Sequence, residues 1–183
     1  MNKLQRILTV FVSIASLAHL SLPAQNLQLP STLKIRPSGR NLVISDRGKA
    51  HLMNVSKSIG AARLEDARVI FAARRSDFTY LLINACGPSK LRPDDRQCGA
   101  GGECNLLWLK LSGAWDIVEI KSVVYESCWS TVTSTDGLEI KGNTLKLDYD
   151  DFTNNKHANL TYDAERPEQG IKVEETVIKD GAD

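Results

Sequence analysis

The stretch Asn105-Leu106-Leu107-Trp108-Leu109-Lys110-Leu111 decides the fold. In an extended strand successive side chains point to opposite faces of the sheet. The odd-numbered leucines of this stretch therefore share one face, while Leu106 and Trp108 lie on the other. A strand that is apolar on both faces is typical of a position between two packed layers. We expect this segment to be a central strand of a β-sheet.

Similar short runs, rich in β-branched and aromatic residues and separated by turn residues, occur on both sides of this strand. Their regular spacing predicts a mainly β fold with little helix, built as a single antiparallel meander, a sandwich or a rolled sheet. In Gly60–Arg75 the pattern predicts a turn or short helix that gives way to a strand near Arg68. The expected strands are Leu33–Arg36, Asn41–Ser45, Ala50–Val55, Arg68–Ala73, Phe78–Ala85, Asn105–Leu111, Trp115–Tyr125, Trp129–Thr133, Leu138–Lys141, Thr144–Tyr149, Ala158–Tyr162 and Ile171–Ile178.

A tight hairpin is predicted over Leu138–Tyr149. Gly142-Asn143 is a two-residue turn of the kind that tolerates positive φ. With that turn fixed, apolar residues pair on one face and opposite charges pair on the other, as a half-buried hairpin requires. The expected pairs are Ile140 with Leu145, Leu138 with Leu147, and Glu139 with Lys146.

The first 24 residues have the three parts of a secretory signal peptide. Lys3 and Arg6 precede an apolar run of about 16 residues that ends near the small residue Ala24. A membrane-spanning helix needs about 20 mostly apolar residues. We therefore expect cleavage after Ala24 and a single exported β domain over residues 25–183, in the periplasm or outside the cell.

The charge balance of the exported part is close to neutral. Removing Lys3 and Arg6 from the 23 basic residues leaves 21 against 22 acidic residues. Nucleic-acid or anionic-membrane binding usually needs a clear basic excess. We expect neither as a partner, nor a membrane span in the exported part.

Four cysteines, Cys86, Cys98, Cys104 and Cys128, all lie in the exported part. An even number of cysteines outside the cytosol favours disulfides. The alternative, a zinc site, would need spacings of 11, 5 and 23 intervening residues, which match no standard zinc motif. A hairpin turning at Ser112-Gly113 would place Cys128 beside Cys98 and Cys104 opposite about Lys121. Because this separates Cys104 from Cys128 by over ~20 Å, we expect the pairs Cys98–Cys128 and Cys86–Cys104.

The polar, glycine-rich segment between Cys86 and Cys104 is the first candidate for binding, because loops held on a rigid frame often carry function. Its glycines could instead serve tight turns alone. Tryptophans near the central hairpin could stack on a sugar, although tryptophan more often belongs to the core. The candidate ligand-binding residues are Arg92, Asp94, Asp95, Arg96, Glu103 and Trp108.

Motifs for catalysis are weak. The two histidines of the exported part, His51 and His157, stand in no motif with a nucleophile, and the sequence contains no Gly-x-Ser-x-Gly. Acidic residues are plentiful, and a glycosidase needs two of them facing each other across a cleft. A calcium site at Asp148, Asp150 and Asp151 lacks the glycine and distal glutamate of an EF-hand. We expect no metal and no cofactor.

Three segments resemble a group of uncharacterised exported bacterial proteins. They are Cys98-Gly99-Ala100-Gly101-Gly102-Glu103, Leu107-Trp108-Leu109-Lys110-Leu111 and Glu126-Ser127-Cys128-Trp129. The resemblance covers about Tyr80–Trp129. It implies a bacterial source and a secreted β domain, and it assigns no catalytic or binding residue.

These observations favour a non-enzymatic binding module of the bacterial envelope that contacts an envelope protein or a glycan. The alternative is a small extracytoplasmic hydrolase that cleaves a cell-wall or extracellular polymer with a carboxylate pair. A structural envelope component, whose edge strands pair with copies of itself, is a third hypothesis.

Overall fold

The computed structural model of the protein describes residues 33–91, 98 and 101–178. The predicted signal peptide and the candidate residues Arg92, Asp94, Asp95 and Arg96 lie outside the described residues. Within the described residues the protein is mainly β, as predicted. The one helical element among them is a short 3-10 helix, Pro167–Gln169. The strands are β1 Lys34–Ser38, β2 Asn41–Asp46, β3 Lys49–Asn54, β4 Asp66–Arg75, β5 Phe78–Pro88, β6 Gly102–Leu111, β7 Ile117–Ser127, β8 Val132–Ser134, β9 Glu139–Lys141, β10 Thr144–Asp151, β11 Lys156–Asp163 and β12 Lys172–Val177.

Each predicted strand overlaps one of these strands. The segment after Gly60 forms bends rather than a helix, and β4 begins at Asp66, slightly before the predicted position. The helix propensity of this segment is overridden because its backbone is bound to other strands. The Ala62 N–H donates to Pro88 O and the Glu65 N–H to Cys86 O, both at 2.9 Å.

The strands form two antiparallel sheets. The small sheet has the order β1-β2-β3. The large sheet has the order β12-β11-β10-β8-β7-β6-β5-β4, with β9 attached to β10. Its long strands β5, β6 and β7 follow one another in the chain and pair as neighbours.

Strand β6 is central, as predicted, and it separates two apolar cores. Leu107, Leu109 and Leu111 pack with Leu42 and other residues of the small sheet in the first core. The second core contains Leu106 and Trp108 together with residues of β10 and β11. The apolar character of both faces of β6 is therefore explained by a layer on each side.

The large sheet rolls upon itself around the second core. Phe71 on β4 stacks with Tyr162 on β11 at a ring distance of 5.7 Å, although these strands are far apart in the sheet order. Right-handed twist accumulates across a sheet of this size and brings its ends towards each other. The observed architecture is thus a rolled antiparallel sheet with a three-stranded sheet packed on its outer side.

The β9–β10 hairpin has the predicted register. Ile140 pairs with Leu145 and Glu139 with Lys146, and Gly142 takes a positive φ of 57° in the turn. Strand β9 begins at Glu139, so the expected pairing of Leu138 with Leu147 lies beyond the ladder. Ile140 remains 47 % exposed whereas Leu145 is buried, because this short strand reaches past the edge of the core.

Both predicted disulfides are present, Cys86–Cys104 and Cys98–Cys128, with Cα–Cα distances of 4.2 and 5.7 Å. The register used to predict them was wrong. Cys104 pairs with Glu126, and it is Trp108 that lies opposite Lys121.

The error has a local cause in the β6–β7 turn. The turn is longer than Ser112-Gly113, since Leu111 pairs with Ile117. The Ser112 hydroxyl holds it by accepting the N–H groups of Ala114 and Asp116 at 3.2 and 3.1 Å. A β-bulge near Cys104 shifts the register further. Among the residues that the structure describes, no helix has the length and apolar character needed to cross a membrane.

Candidate functional site

The face of β6 that carries the leucines changes character towards its N-terminal end. Glu103 and Asn105 continue the row of Leu107 and Leu109, and both are buried. Buried polar groups are costly unless they have hydrogen-bond partners. The surroundings of these two side chains therefore define the region where function is most readily sought.

Glu103 is 3 % exposed, and its carboxylate is held by a single serine among the described residues. The Ser89 hydroxyl donates to Glu103 Oε1 at 2.7 Å. The other oxygen, Oε2, faces Gly60, where an added Cβ would lie only 3.1 Å away. Gly60 therefore leaves space in front of this oxygen.

Asn105 ties three segments together beside Glu103. Its Oδ1 accepts the Gly60 N–H in a long contact of 3.5 Å, and its Nδ2 donates to Ser122 Oγ at 3.2 Å. Ser122 in turn donates to the Ser58 carbonyl at 2.6 Å. The segment of residues 58–65 is thereby fixed across the ends of β6 and β7.

Gly87 is required for the close approach of this segment. A Cβ at Gly87 would lie 1.8 Å from the Arg63 carbonyl oxygen. No side chain fits there unless the backbone moves. The close approach of the Arg63 carbonyl explains why a glycine stands at position 87, between Cys86 and Pro88 at the end of β5.

A cavity of about 210 Å³ opens beside Glu103. We call it the Glu103 cavity. Glu103 and Ser127 are buried within its lining, and Lys90 and Ser130 are exposed. The lining residues are Gly60, Lys90, Glu103, Val124, Ser127, Trp129 and Ser130.

The Cys98–Cys128 disulfide borders this cavity. Gly101 lies against it, since a Cβ at Gly101 would be 2.6 Å from Cys128 Cβ and 3.1 Å from Ser89 Oγ. Cys128 itself stands between the lining residues Ser127 and Trp129. The disulfide therefore anchors the chain between two lining residues, Ser127 and Trp129.

One aromatic side chain lines the cavity, and two other apolar side chains are attached to the backbone next to its lining residues. Trp129 is partly exposed, and its indole Nε1 donates to the Lys90 carbonyl at 2.8 Å, which orients the ring. Leu91, next to Lys90, is 73 % exposed, and Phe152 is 54 % exposed. Thr153 links Phe152 to the cavity by donating to the Ser130 carbonyl at 2.6 Å. We call Leu91, Trp129 and Phe152 the rim.

Of the candidate ligand-binding residues, the structure places Glu103 in the cavity and Trp108 elsewhere. Trp108 is 1 % exposed, lies on the opposite face of β6, and donates its Nε1–H to Pro167 O at 2.9 Å. Gly170 covers its ring. An enclosed ring cannot stack on a ligand, so the core interpretation of Trp108 replaces the ligand-binding one.

The acidic residues of β10 are engaged with neighbouring side chains. Asp148 accepts from Asn159 Nδ2 at 2.5 Å, Asp150 contacts His157 Nδ1 at 2.8 Å, and Asp151 accepts from Asn154 Nδ2 at 2.7 Å. Within residues 33–91, 98 and 101–178, no group of three or more histidine, cysteine or acidic residues could hold a metal ion.

Among the described residues, two carboxyl groups have clearly shifted pKa values, and both shifts are downward. The pKa of Glu139 is lowered by its hydrogen bond and charge interaction with Lys141. Burial tends to raise the pKa of Asp163, but the hydrogen bonds from Arg166 and the Glu165 N–H outweigh burial and lower it. A general acid needs a raised pKa, so neither group suits that role.

Tyr125 lies on β7 near the Cys86–Cys104 disulfide. Burial, reinforced by the charge of Glu126, raises the pKa of Tyr125 to about 12, although a hydrogen bond to Asn84 opposes the rise. The phenol donates to Asn84 Oδ1 at 2.8 Å. Tyr125 therefore stays protonated at neutral pH and acts as a structural donor.

Sequence reasoning missed Gly60 and Ser89, the two residues that complete the surroundings of Glu103. Ser89 is 14 residues from Glu103 in the chain, and Gly60 lies further away. No local pattern signalled them, because Gly87, which receives the backbone of this segment, lay outside the predicted strand Phe78–Ala85.

Neither a protein-family model, nor a curated protein, nor a solved structure matches the chain. The function of the site is therefore inferred from its own residues. A buried carboxylate beside an open cavity with an aromatic wall can bind a cation or a strong hydrogen-bond donor.

Proposed function

We propose that this protein is an exported, non-enzymatic binding module of the bacterial envelope, and that the Glu103 cavity and its rim form the binding surface. The observation that carries the proposal is the 3 % exposed carboxylate of Glu103 beside an open cavity. Sites that bind ligands usually combine an apolar surround with a few polar groups that fix orientation.

The disulfides support an extracytoplasmic location. All four cysteines are paired, Cys86 with Cys104 and Cys98 with Cys128. Such bonds form and persist in oxidising compartments and are rare in the cytosol. The signal-peptide pattern of residues 1–24 agrees with export.

The lining of the cavity favours binding over hydrolysis. Among its described residues, Glu103 is the single carboxylate. Glycosidases cleave with two carboxyl groups placed on opposite sides of the bond. A rigid cavity with one carboxylate is better suited to hold a partner than to cleave a polymer.

The test is a crosslinking experiment on the mature, tagged protein in the envelope of its own bacterium, with captured proteins and glycans both identified. The native protein is compared with a triple rim variant, Leu91→Ser, Trp129→Ser and Phe152→Ser. We expect one reproducible partner, reduced at least tenfold in the rim variant, since hot-spot aromatics carry most of the energy of an interface.

A matched control is Val118→Ser, which removes another exposed apolar side chain near the far end of β7. Nine residues separate Val118 from Ser127, roughly 30 Å along a strand. Equal capture by the native and rim variants would contradict the proposal. Equal loss in the Val118 control would place the interface elsewhere and would also contradict it.

A further inference from the structure

We propose that the Glu103 cavity receives the cationic end of a lysine or arginine side chain from a partner protein, with Glu103 as its counter-ion. This inference rests on the proposed function and specifies its ligand. The charge, the size and the walls of the cavity each favour such a side chain.

The charge of Glu103 is not compensated within the described part of the chain. No ion pair of Glu103 with a described residue is present, and the Ser89 hydroxyl supplies one neutral hydrogen bond to Oε1. Oε2 faces Gly60, where an added Cβ would lie 3.1 Å from it. A carboxylate in this setting gains most from a ligand that brings both positive charge and N–H donors.

The size of the cavity fits a side chain better than a whole small molecule. Its volume of about 210 Å³ lies below the roughly 300–1,000 Å³ of typical small-molecule sites. It is also far larger than the space of one water molecule, roughly 30 Å³. A single long side chain, entering from a partner that covers the rim, meets both limits.

The walls suit the aliphatic part of such a side chain. Lysine and arginine carry apolar stems that pack on hydrophobic surfaces while the charged end reaches a polar group. Val124 and the indole of Trp129 line the cavity, and an indole face also attracts a cation directly. Lys90 is exposed at the entrance, where water screens its repulsion of an incoming cation.

The rim gives the reason to prefer a protein over a free amine. Leu91 and Phe152 are largely exposed apolar side chains. Leu91 follows the lining residue Lys90 in the chain, and the Phe152 N–H donates to the carbonyl of Thr131, next to Ser130. Apolar anchors around a buried charged contact exclude water from it and strengthen it. A partner polypeptide can cover all three rim residues, whereas a small amine in the cavity reaches only Trp129.

The first measurement uses two probes, N-acetyl-lysine methylamide and its neutral analogue N-acetyl-norleucine methylamide. Each is titrated into the ¹⁵N-labelled mature protein, and amide shifts are followed by NMR. We expect the lysine probe to shift the amides of Gly60, Glu103 and Ser127 in a saturable way. The norleucine probe should bind at least tenfold more weakly.

The variants are Glu103→Gln and Gly60→Ala, with Glu126→Gln as a control that removes a charge from an exposed residue. Glutamine keeps the shape of Glu103 and can still accept from Ser89, so the fold is retained. Glu103→Gln should weaken the lysine probe at least tenfold. Gly60→Ala, whose methyl would sit 3.1 Å from Oε2, should weaken it as well. The control should bind like the native protein.

The outcomes separate this inference from the proposed function. Equal binding of both probes, or unchanged binding in Glu103→Gln, would overturn the cation site. Failure of the lysine probe, together with partner capture that still depends on the rim, would overturn the inference and leave the binding module standing. Capture of a glycan instead of a protein would also overturn it.

Discussion

The two halves of one face of β6 are built on different principles. Its C-terminal half presents Leu107, Leu109 and Leu111 to a dry core under the small sheet. Its N-terminal half presents Glu103 and Asn105, which are equally buried but lie among hydroxyl, amide and backbone groups. The same strand thus passes from an apolar core to a polar pocket within five residues.

The leucine half stabilises the fold, whereas the glutamate half is where we propose that a ligand binds. Burial of apolar surface, about 25 cal/mol per Å², stabilises the leucine half without any other support. The glutamate half gains little from burial and is held by covalent and directional bonds, namely two disulfides and the contacts of the segment of residues 58–65. Such an arrangement leaves a polar group at the cavity available for a ligand.

The largest expected effect follows from removing the disulfide beside the cavity. The double variant Cys98→Ser, Cys128→Ser opens a link between residues 30 apart. The chain-entropy model predicts a loss of about 3.5 kcal/mol in the free energy of unfolding. Urea denaturation under non-reducing conditions measures it.

The same variant should also lose the lysine probe, because this disulfide anchors Cys128 between the lining residues Ser127 and Trp129. If the stability falls while probe binding persists, the disulfide does not shape the cavity. A stability loss below about 1 kcal/mol would show that the glutamate half is held by other interactions.

The second effect concerns the leucine half. Leu109→Ala truncates a fully buried side chain of the first core, and the resulting cavity should lower the free energy of unfolding by about 3 kcal/mol. Binding of the lysine probe to the folded protein should remain unchanged. A loss of probe affinity comparable to that in Glu103→Gln would show that the leucine half and the glutamate half of β6 are coupled, and that they do not act independently.

A third, smaller effect concerns Tyr125 and pH. The folded pKa of Tyr125, about 12, lies above its ordinary value of 10.0. The contribution of the neutral phenol is therefore complete below about pH 10 and is lost as the pH rises through 12. Tyr125→Phe should cost about 1 kcal/mol at pH 7, where the hydrogen bond to Asn84 is lost.

Above pH 10 the gap between this variant and the native protein should narrow, because phenylalanine does not ionise. Urea denaturation at pH 7 and pH 11 gives the comparison. Parallel losses in the two proteins would show that Tyr125 does not contribute to alkaline unfolding.

The sequence was sufficient for the elements whose signal is local. The central position of β6 follows from its two apolar faces, and the β9–β10 register follows from a two-residue turn. The disulfide pairs were also predicted, but through a register about five residues in error. That error has three causes: a turn held by the Ser112 hydroxyl, a register shift between Lys110 and Leu111, and another between Cys104 and Asn105. Each extra residue in a hairpin shifts all pairs beyond it.

The candidate site was predicted only in part, because its residues meet through tertiary contacts. Glu103 was named, yet its neighbours Gly60 and Ser89 come from other segments whose approach leaves no periodic pattern. Trp108 was a ligand-binding candidate beside the more common core interpretation, and it lies in the core. Sequence alone does not show that the Pro167–Gly170 segment covers its face of β6. Arg92, Asp94, Asp95 and Arg96 remain predictions.

The central claim is that Glu103 is present for binding rather than for stability, and Glu103→Met tests it most directly. A buried carboxylate with no ion-pair partner among the described residues is costly to bury, so an apolar side chain of similar size removes that cost. The same change leaves the buried Ser89 hydroxyl without its acceptor, which costs stability. Urea denaturation and the lysine-probe titration are measured on the same variant. We expect these two effects to offset each other, so that the free energy of unfolding stays within about 1 kcal/mol of the native value while probe binding is lost. A clear loss of stability with probe binding retained would show that Glu103 is a structural residue and would contradict the account.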